Sequence, residues 1–242
     1  MFQVRDLMVK YQAKVVFSKL SFELADNTIL AVLGPSGSGK TSLLNAITGL
    51  LSHQGEILLN GHPLDTKAQT IALVPQDYGL LPWKTVEQNV LLALKVKEKK
   101  GGKDQPKLQA LYAALGLTSL LKRYPHQLSG GQKQRVALAR AFALTPDLLL
   151  LDEAFSALDL VIKQKAQQLF LRQWQETPVT TLVVTHDLKE TLLLSDQILL
   201  LTPNKPQLIT NPLGDLDYDS RTEAKVLTPV LSELEAEVKR QW

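Results

Sequence analysis

Residues 34–41, Gly-Pro-Ser-Gly-Ser-Gly-Lys-Thr, have the spacing G-x-x-x-x-G-K-[ST] of a phosphate-binding loop. An apolar run from Thr28 to Leu33 precedes the loop, and a helical pattern that includes Leu43 and Ile47 follows it. Glycine lets backbone N–H groups turn toward a phosphate, and the positive end of the helix dipole points the same way. We therefore expect a nucleotide to contact Gly34, Pro35, Ser36, Gly37, Ser38, Gly39, Lys40, Thr41 and Ser42.

Two side chains of this loop have a predicted chemical role. The Lys40 ammonium supplies a full charge for the β- and γ-phosphates, and the Thr41 hydroxyl is placed to ligate Mg²⁺. The alternative is a glycine- and serine-rich turn that arose by chance. The strand and helix patterns on both sides argue against that alternative, because they are the context in which such a loop works.

Two adjacent carboxylates follow the strand-like run Leu148 to Leu151. Such a run is typical of a strand buried on both faces, and ligands bind at the carboxyl ends of strands in open α/β sheets. We expect Asp152 to hold Mg²⁺ through water and Glu153 to be the general base that polarises the attacking water. An acid-tipped strand is weak evidence alone, and the phosphate loop upstream strengthens it.

His186 and Gln76 also lie at the ends of predicted strands. His186 comes directly after one strand, and Gln76 lies two residues after another. His186 follows the run from Leu182 to Thr185, and Gln76 follows the run from Ile71 to Val74. At the same sheet edge, His186 would reach the γ-phosphate and the water, and Gln76 would contact Mg²⁺ or the water. Taken separately, a structural histidine and an ordinary loop glutamine remain the alternatives.

A second motif lies at Leu128-Ser129-Gly130-Gly131-Gln132. Ser129 and Gln132 have the spacing of a capping box, so one interpretation is a well-capped helix and nothing more. The glycine pair, however, leaves the N–H groups at the helix start open to an anion. Because the chain already has one phosphate loop, this second anion site predicts contact with another nucleotide.

Composition excludes several other classes of protein. The 242 residues are 45% hydrophobic and 21% charged, which is typical of a globular protein, and the net charge of +3 argues against a dedicated nucleic-acid-binding protein. The absence of cysteine excludes disulfides and thiolate metal sites. The start of the chain lacks the apolar core of a signal peptide, and no run of 18 apolar residues occurs, so any membrane role is expected through a partner.

The order of the predicted elements indicates an α/β fold. Strand patterns fill most of residues 1–76, helical spacing runs from Val86 to Phe142, and strands resume at Leu148. We expect one domain over 1–242, with a nucleotide-binding core and β subdomain at 1–76 and 143–205, a helical subdomain at 77–142 and a tail at 206–242. The tail is predicted to hold a helix from Glu223 to Arg240 that Pro229 interrupts.

Taken in order, these motifs resemble those of the ATP-binding subunits of ATP-binding cassette (ABC) transporters, over nearly the full length. The resemblance implies a P-loop NTPase (RecA-like) core with an antiparallel β subdomain and an inserted α-helical subdomain. It implies that Tyr11 stacks on adenine, that residues 128–132 are the family signature, and that Ser156 to Asp159 form the dimer-contact loop, with Asp159 near the nucleotide. One departure is Ala154, where the family commonly has proline; this residue gives the turn greater chain freedom.

The resemblance also implies the partners. Two copies face head to tail, so that ATP and Mg²⁺ on one phosphate loop are covered by the signature of the other copy. A membrane permease docks near Gln76 to Trp83 on the cytoplasmic face of the membrane, a periplasmic or extracellular substrate-binding protein joins through that complex, and no nucleic acid takes part.

The segment from Gln76 to Trp83 resembles that of one bacterial importer group, which carries nitrate, sulfonates, taurine or pyrimidine precursors. Alternatively, Leu80, Leu81 and Trp83 simply pack in the core of the helical lobe. An exporter subunit, or a cassette ATPase of DNA repair or translation, also remains an alternative at this point. The lysine-rich stretch from Lys95 to Lys103 is interpreted as a solvated connector.

Overall fold

A computed structural model describes residues 1–11, 14–97, 105–201 and 206–242. Lys99, Lys100 and Lys103 of the predicted connector lie outside these residues, as does the side chain of Tyr11. The elements are β1 (Phe2–Tyr11), β2 (Lys14–Leu24), β3 (Ile29–Leu33), α1 (Lys40–Ile47), β4 (His53–Leu59), β5 (His62–Pro63), β6 (Ile71–Val74), α2 (Val86–Lys97), α3 (Gln105–Ala114), α4 (Gly130–Ala143), β7 (Leu148–Asp152), α5 (Leu160–Glu176), β8 (Thr181–Thr185), α6 (Leu188–Leu194), β9 (Gln197–Leu200), β10 (Gln207–Thr210), α7 (Tyr218–Thr222) and α8 (Ala224–Gln241). Short 3-10 helices lie at Thr118–Leu120 and Pro125–Gln127.

The chain forms two compact units, unit 1 at 1–71 with 179–242 and unit 2 at 72–178. The finer division into core, helical subdomain and tail stays a prediction. The strands predicted at Ile71 to Val74 and after Leu148 are present, and the predicted helical stretch contains α2, α3 and α4. Among the described residues, no helix is both long and apolar enough to cross a membrane.

Unit 1 contains an antiparallel sheet in the order β2-β1-β4-β5. Strand β1 buries Phe2, Val4, Leu7 and Val9, a pattern that breaks strict alternation once. The break coincides with an irregularity in the register and with Asp6, whose φ is 47°. A β-bulge at this point returns Leu7 to the buried face and places the charged Asp6 outside it.

A second sheet in unit 1 places β3 between β8 and β9, with β10 beyond β9. Strands β3 and β8 are parallel, and Leu33 pairs with Thr185 in their register. Both strands are buried along their whole length, which explains why their sequences are continuous apolar runs rather than alternating ones. The register also brings the residues that follow these two strands to the same edge of the sheet.

The C-terminal helix corrects one prediction. Helix α8 runs without interruption from Ala224 to Gln241 and contains Pro229. Proline removes one backbone donor, but the apolar face of α8 is buried through Leu227 and Leu234 in a cluster with Leu192 of α6. We attribute the continuity of the helix to this packing, which a propensity argument does not include.

Unit 2 is built around α4. This helix contacts α2, α3 and α5, and its Val136 and Leu138 are completely buried. At its C-terminal end the Phe142 ring lies 6.2 Å from the ring of Phe170 on α5, and Phe155 packs on the same ring at 6.0 Å. The burial of α4 therefore holds the two ends of this helix in defined places, and both ends matter for the site.

Candidate nucleotide site

The phosphate loop is closed by its own backbone. The N–H of Ser38 donates to the carbonyl of Pro35 over 3.2 Å, and the N–H of Leu43 donates to the carbonyl of Gly39 over 2.9 Å. Helix α1 begins at Lys40, directly after the loop, and no side chain caps its N-terminus. Its first N–H groups therefore face the loop rather than a capping side chain, as an anion site requires.

Two glycines of the loop are required by the structure for different reasons. Gly37 has a φ of 79° and open space around its α-carbon, so only its backbone conformation favours glycine. Gly39 has a φ of 98°, and a β-carbon there would lie 2.4 Å from Val16 Cγ1 and 2.7 Å from Phe17 Cζ. Strand β2 thus packs against the loop too closely for any side chain at position 39.

The side chain of Lys40 folds back over the phosphate loop that precedes it. Its Nζ donates to the carbonyl of Gly34 over 2.8 Å and to the carbonyl of Pro35 over 3.0 Å, and the residue is only 7% exposed. Thr41, by contrast, is exposed. The ammonium is therefore held inside the loop, where a bound phosphate would meet it.

His186 lies at the same sheet edge as the phosphate loop. It follows Thr185, which pairs with Leu33, and Gly34 follows Leu33. The imidazole is exposed, and the next residue, Asp187, caps α6 by accepting from the N–H of Glu190 over 3.1 Å. The sheet register therefore brings together two predicted site elements that are 152 residues apart in the chain (186 − 34).

The position of α6 depends on two buried residues that sequence reasoning missed. Asn211 donates to the carbonyls of Leu192 and Ser195 at the end of α6. The guanidinium of Arg221 donates to the carbonyls of Leu193 and Ser195, and burial lowers its pKa. These are the unsatisfied carbonyls of a helix end, which side-chain donors stabilise. The polar residues in a proline-containing tail gave no signal for this role.

In unit 2, the two carboxylates lie at the end of β7, where Asp152 is the last residue of the strand and Glu153 comes directly after it. Glu153 has a φ of 46°, which is unusual for a residue with a side chain, and its carbonyl accepts both from the N–H and from the hydroxyl of Ser156, over 3.0 and 2.8 Å. Ala154, at the position where proline was expected, is buried. The two bonds from Ser156 hold the turn that presents Glu153.

Gln76 meets Glu153 in unit 2. The amide Nε2 of Gln76 donates to Oε2 of Glu153 over 3.5 Å, at the long limit of a hydrogen bond, across 77 residues of sequence. The turn after Gln76 is held by Arg140 of α4, which donates to the carbonyls of Tyr78 and Gly79. Sequence reasoning missed Arg140, which stands between alanines on an otherwise apolar part of the helix.

The signature forms the predicted capping box at the start of α4. The N–H of Ser129 donates to Gln132 Oε1 over 2.9 Å, and the N–H of Gln132 donates to Ser129 Oγ over 3.3 Å. Ser129 and Gly130 are exposed, while Gly131 is buried, and a β-carbon there would lie 2.4 Å from Cγ2 of Ile162. Gly131 is thus required by close packing, a reason that the sequence did not reveal.

Asp159 lies beside the signature within unit 2 and caps α5, because its Oδ1 accepts from the N–H of Ile162 over 3.1 Å. The three residues that follow it are apolar yet exposed: Leu160 is 64%, Val161 59% and Ile162 37% exposed. Exposed apolar side chains in sequence at one end of a helix are typical of a surface that contacts a partner.

The segment from Gln76 to Trp83 is only partly a core element. Leu80 and Leu81 are half-buried, while Trp83 is 69% exposed, so the alternative that all three pack in the core is wrong for Trp83. Asn89 of α2 fixes the segment: its side chain donates to the carbonyls of Leu81, Lys84 and Thr85 and accepts from the N–H of Leu81. The sequence analysis missed Asn89. An asparagine within a predicted helix is unfavourable for the helix, and this could have indicated a structural role for its side chain.

Comparison with known proteins places this chain in a family. Residues 17–156 match the family model described as ABC transporter. The chain is 40% identical over 213 residues to the taurine import ATP-binding protein TauB of Escherichia coli O157:H7, covering 86% of this chain and 82% of the relative. It is 41% identical over 206 residues to TauB of Shigella dysenteriae serotype 1, covering 84% and 80%.

Solved structures agree with the fold. The ATP-binding cassette MJ0796, in a dimeric post-hydrolysis state bound to ADP and Pi, superposes with a TM-score of 0.74 at 28% identity, over 86% of this chain and 98% of that one. An ATP-binding subunit of an ABC transporter superposes with a TM-score of 0.79 at 26% identity over 99% of both chains. The predicted P-loop NTPase fold is confirmed. The chain belongs to the ABC transporter family and is one of its ATP-binding, ATP-hydrolysing subunits.

Proposed function

We propose that this chain powers a bacterial importer of taurine or a related sulfonate by binding and hydrolysing ATP. The observation that carries the proposal is the identity of about two residues in five to TauB over most of both chains. The closed phosphate loop with its internal lysine supports ATP as the fuel. Transporter cargo does not contact such a subunit, so the proposal on the solute rests on the relatives.

In unit 1, the residues from Gly34 to Ser42 bind the phosphates through N–H groups and the Lys40 ammonium. Tyr11 stacks on adenine, and His186 contacts the γ-phosphate and the water. The burial of Lys40 supports its role in binding phosphate, because a largely desolvated ammonium interacts strongly with phosphate.

In unit 2, Glu153 accepts the proton of the attacking water and Gln76 orients that water. The long contact between their side chains supports a common task. Thr41 of unit 1 is a proposed ligand of Mg²⁺, and so are Gln76 and Asp152 of unit 2. Their hydroxyl, amide and carboxylate oxygens are donors that this ion prefers. When bound, the ion neutralises charge on the phosphates. Among the described residues, no cluster of three histidines or carboxylates could hold a metal alone, so phosphate oxygens and water complete the set.

A second copy of the chain completes each pocket. The exposed Ser129 and Gly130, together with Gly131, Leu128, Gln132 and Asp159, contact the nucleotide of the other copy. The exposed apolar residues from Leu160 to Ile162 continue the proposed contact surface. ATP then stabilises the dimer by mass action, and hydrolysis releases it.

The segment from Gln76 to Trp83 receives the permease at the cytoplasmic face of the membrane, and a substrate-binding protein acts through that complex. The exposure of Trp83 supports this docking surface, since aromatic side chains are frequent anchors of interfaces. Nucleic acid is not a proposed partner.

Reconstitution with the co-purified permease tests the proposal. Taurine with its binding protein should stimulate ATP turnover of the complex in vesicles, while Trp83→Ala should reduce co-purification and stimulation without changing the stability of the chain. A ribosome, nucleic acid or export channel in place of an import permease would contradict the proposal. Stimulation by nitrate or a pyrimidine precursor, but not by any sulfonate, would support the import function and contradict a sulfonate as the transported solute.

A further inference from the structure

A cavity of about 410 Å³ lies in unit 1, where the helices α6 and α8 meet the strands β9 and β10. Its volume falls in the range of roughly 300–1,000 Å³ that is usual for small-molecule sites. None of the described residues that line it is among those predicted to contact nucleotide or Mg²⁺. The cavity is therefore a candidate site for a ligand other than ATP.

The interior of the cavity is apolar. Leu192 of α6 and Ile198 of β9 are completely buried there. Ile209 of β10 is half-buried, and Val230 and Leu234 of α8 line the opposite wall. An apolar ligand body would remove water from these surfaces, which is favourable in proportion to the apolar area that it covers.

The side chains of α8 explain why this space stays open. Val230 lies three positions after Leu227 and four before Leu234, so the three residues share one face of the helix. Leu227 and Leu234 are buried, whereas Val230 is only half-buried. Ala236, on the same helix, also lines the cavity. Two small side chains of α8 therefore leave room that larger ones would fill.

Three charged residues of α8 also line the cavity, namely Glu233, Glu237 and Arg240. Nη2 of Arg240 donates to Oε2 of Glu237, and Nε2 of Gln241 donates to Oε1 of the same carboxylate. Within the part of the chain that the structure describes, Glu233 has no hydrogen bond or ion pair through its side chain. The rim of the cavity therefore carries one uncompensated negative charge, on an exposed carboxylate.

We propose that this cavity binds a small molecule with an apolar body and one positive charge, such as an ammonium group at the end of an aromatic or hydrocarbon chain. The apolar body lies against Ile209 and Val230, and the ammonium pairs with Glu233 at the rim. A negatively charged end is disfavoured, because it would face the Glu233 carboxylate and compete with Glu237 for Arg240.

The two parts of such a ligand contribute differently to binding. The apolar body supplies most of the affinity, since burial of apolar surface is the larger effect. The exposed ion pair with Glu233 contributes modestly, so it decides which ligands are preferred. Because Leu192 belongs to α6, a bound ligand also contacts the helix that begins two residues after His186.

Three probes that share one apolar body test the proposal on the full chain: phenylbutylammonium, phenylbutanol and phenylbutanoate. Isothermal titration calorimetry measures the dissociation constant of each, up to the solubility of the probe. The ammonium should bind about two- to fivefold more tightly than the alcohol, and the carboxylate more weakly than the alcohol. Added salt should reduce the preference for the ammonium, because exposed charges are screened.

Two variants locate the probes in the cavity. Glu233→Gln should reduce the affinity for phenylbutylammonium to that for phenylbutanol, while the affinity for phenylbutanol stays unchanged. Glu235→Gln is the matched control, because Glu235 lies on the same helix but does not line the cavity. Val230→Phe should weaken the binding of all three probes about tenfold, since the ring fills space that the apolar body needs.

Several results would overturn the proposal. These are the absence of saturable binding of all three probes, equal affinity for the ammonium and the carboxylate, and equal effects of Glu233→Gln and Glu235→Gln. Competition with saturating ATP would place the probes in the nucleotide site and would also overturn it. Thermal melts check folding, and the exposed Glu233→Gln decides the outcome even if Val230→Phe does not fold.

Discussion

The phosphate loop of unit 1 and the signature turn of unit 2 are both glycine-containing anion sites, yet they are built in different ways. The hydrogen bonds that shape the phosphate loop join residues within nine positions of each other, as Lys40 with Gly34 and Leu43 with Gly39 do. In unit 2, Gly131 of the signature packs against Ile162, and near the other end of α4 Arg140 holds Tyr78 across 62 residues. Local hydrogen bonds therefore shape both sites, and the signature helix depends in addition on packing against residues distant in the chain.

The largest expected effect is a loss of ATP hydrolysis without a loss of ATP binding. Glu153→Gln should lower ATP turnover by about 10²- to 10⁴-fold, because the water loses its general base, while ATP binding is retained and an ATP-bound dimer accumulates. Glutamine keeps the shape of the side chain and leaves the backbone at φ 46° unchanged. Turnover by coupled assay and mass by light scattering check this result, with the exposed Glu56→Gln as control. Rapid hydrolysis by the Glu153 variant would remove this residue from the proposed role.

Lys40→Ala tests the local site. Loss of the charged donor should weaken ATP binding by about 2–3 kcal/mol, since hydrogen bonds between charged groups contribute about this much. Direct titration of the variant with a fluorescent ATP analogue measures the change, and Lys19→Ala on an exposed part of β2 is the matched control. An unchanged affinity would contradict the assignment of the phosphate loop.

Two glycine substitutions test the comparison directly. Gly131→Ala should destabilise the fold by about 1–3 kcal/mol, because its β-carbon meets Ile162, and adding Ile162→Ala should recover most of that loss. Gly39→Ala should not be recovered by trimming Val16, because its φ of 98° strains any side chain. Urea unfolding of the single and double variants measures both effects. If the second substitution restored stability at position 39 but not at position 131, close packing would explain Gly39 rather than Gly131.

The smallest effect concerns pH. Burial raises the pKa of Asp196 above its ordinary value, despite the N–H of Ile29 and the charge of Arg221, which lower it. A raised pKa in the folded state means that the contribution of Asp196 to stability is greatest below its unfolded pKa and is lost as the pH rises through the folded value. Asp196→Asn removes this titration, so the stability of the variant relative to wild type should increase slightly as the pH rises through and above the ordinary aspartate pKa of about 3.9. A constant difference across that range would argue against the raised pKa.

Much of the fold could be predicted because apolar runs and helical spacing are local patterns. The strands β3, β6 and β7 were predicted near their observed bounds, and the helical stretch predicted from Val86 to Phe142 contains α2, α3 and nearly all of α4. The interruption at Pro229 was wrong, because burial of Leu227 and Leu234 against α6 stabilises the helix beyond what local propensity indicates. The chemical roles of Glu153, His186, Gln76 and the other site residues stay predictions.

The amino-acid sequence by itself determined the phosphate loop, the acid-tipped strand and the capped signature helix, because each depends on residue types at short, constant spacing. Only the tertiary structure decided that Gly131 is required by Ile162, that Asn211 and Arg221 hold the end of α6, and that Arg140 holds the turn at Tyr78. These contacts join residues whose separation along the chain carries no periodic signal, so they exist only once the helices and strands have packed.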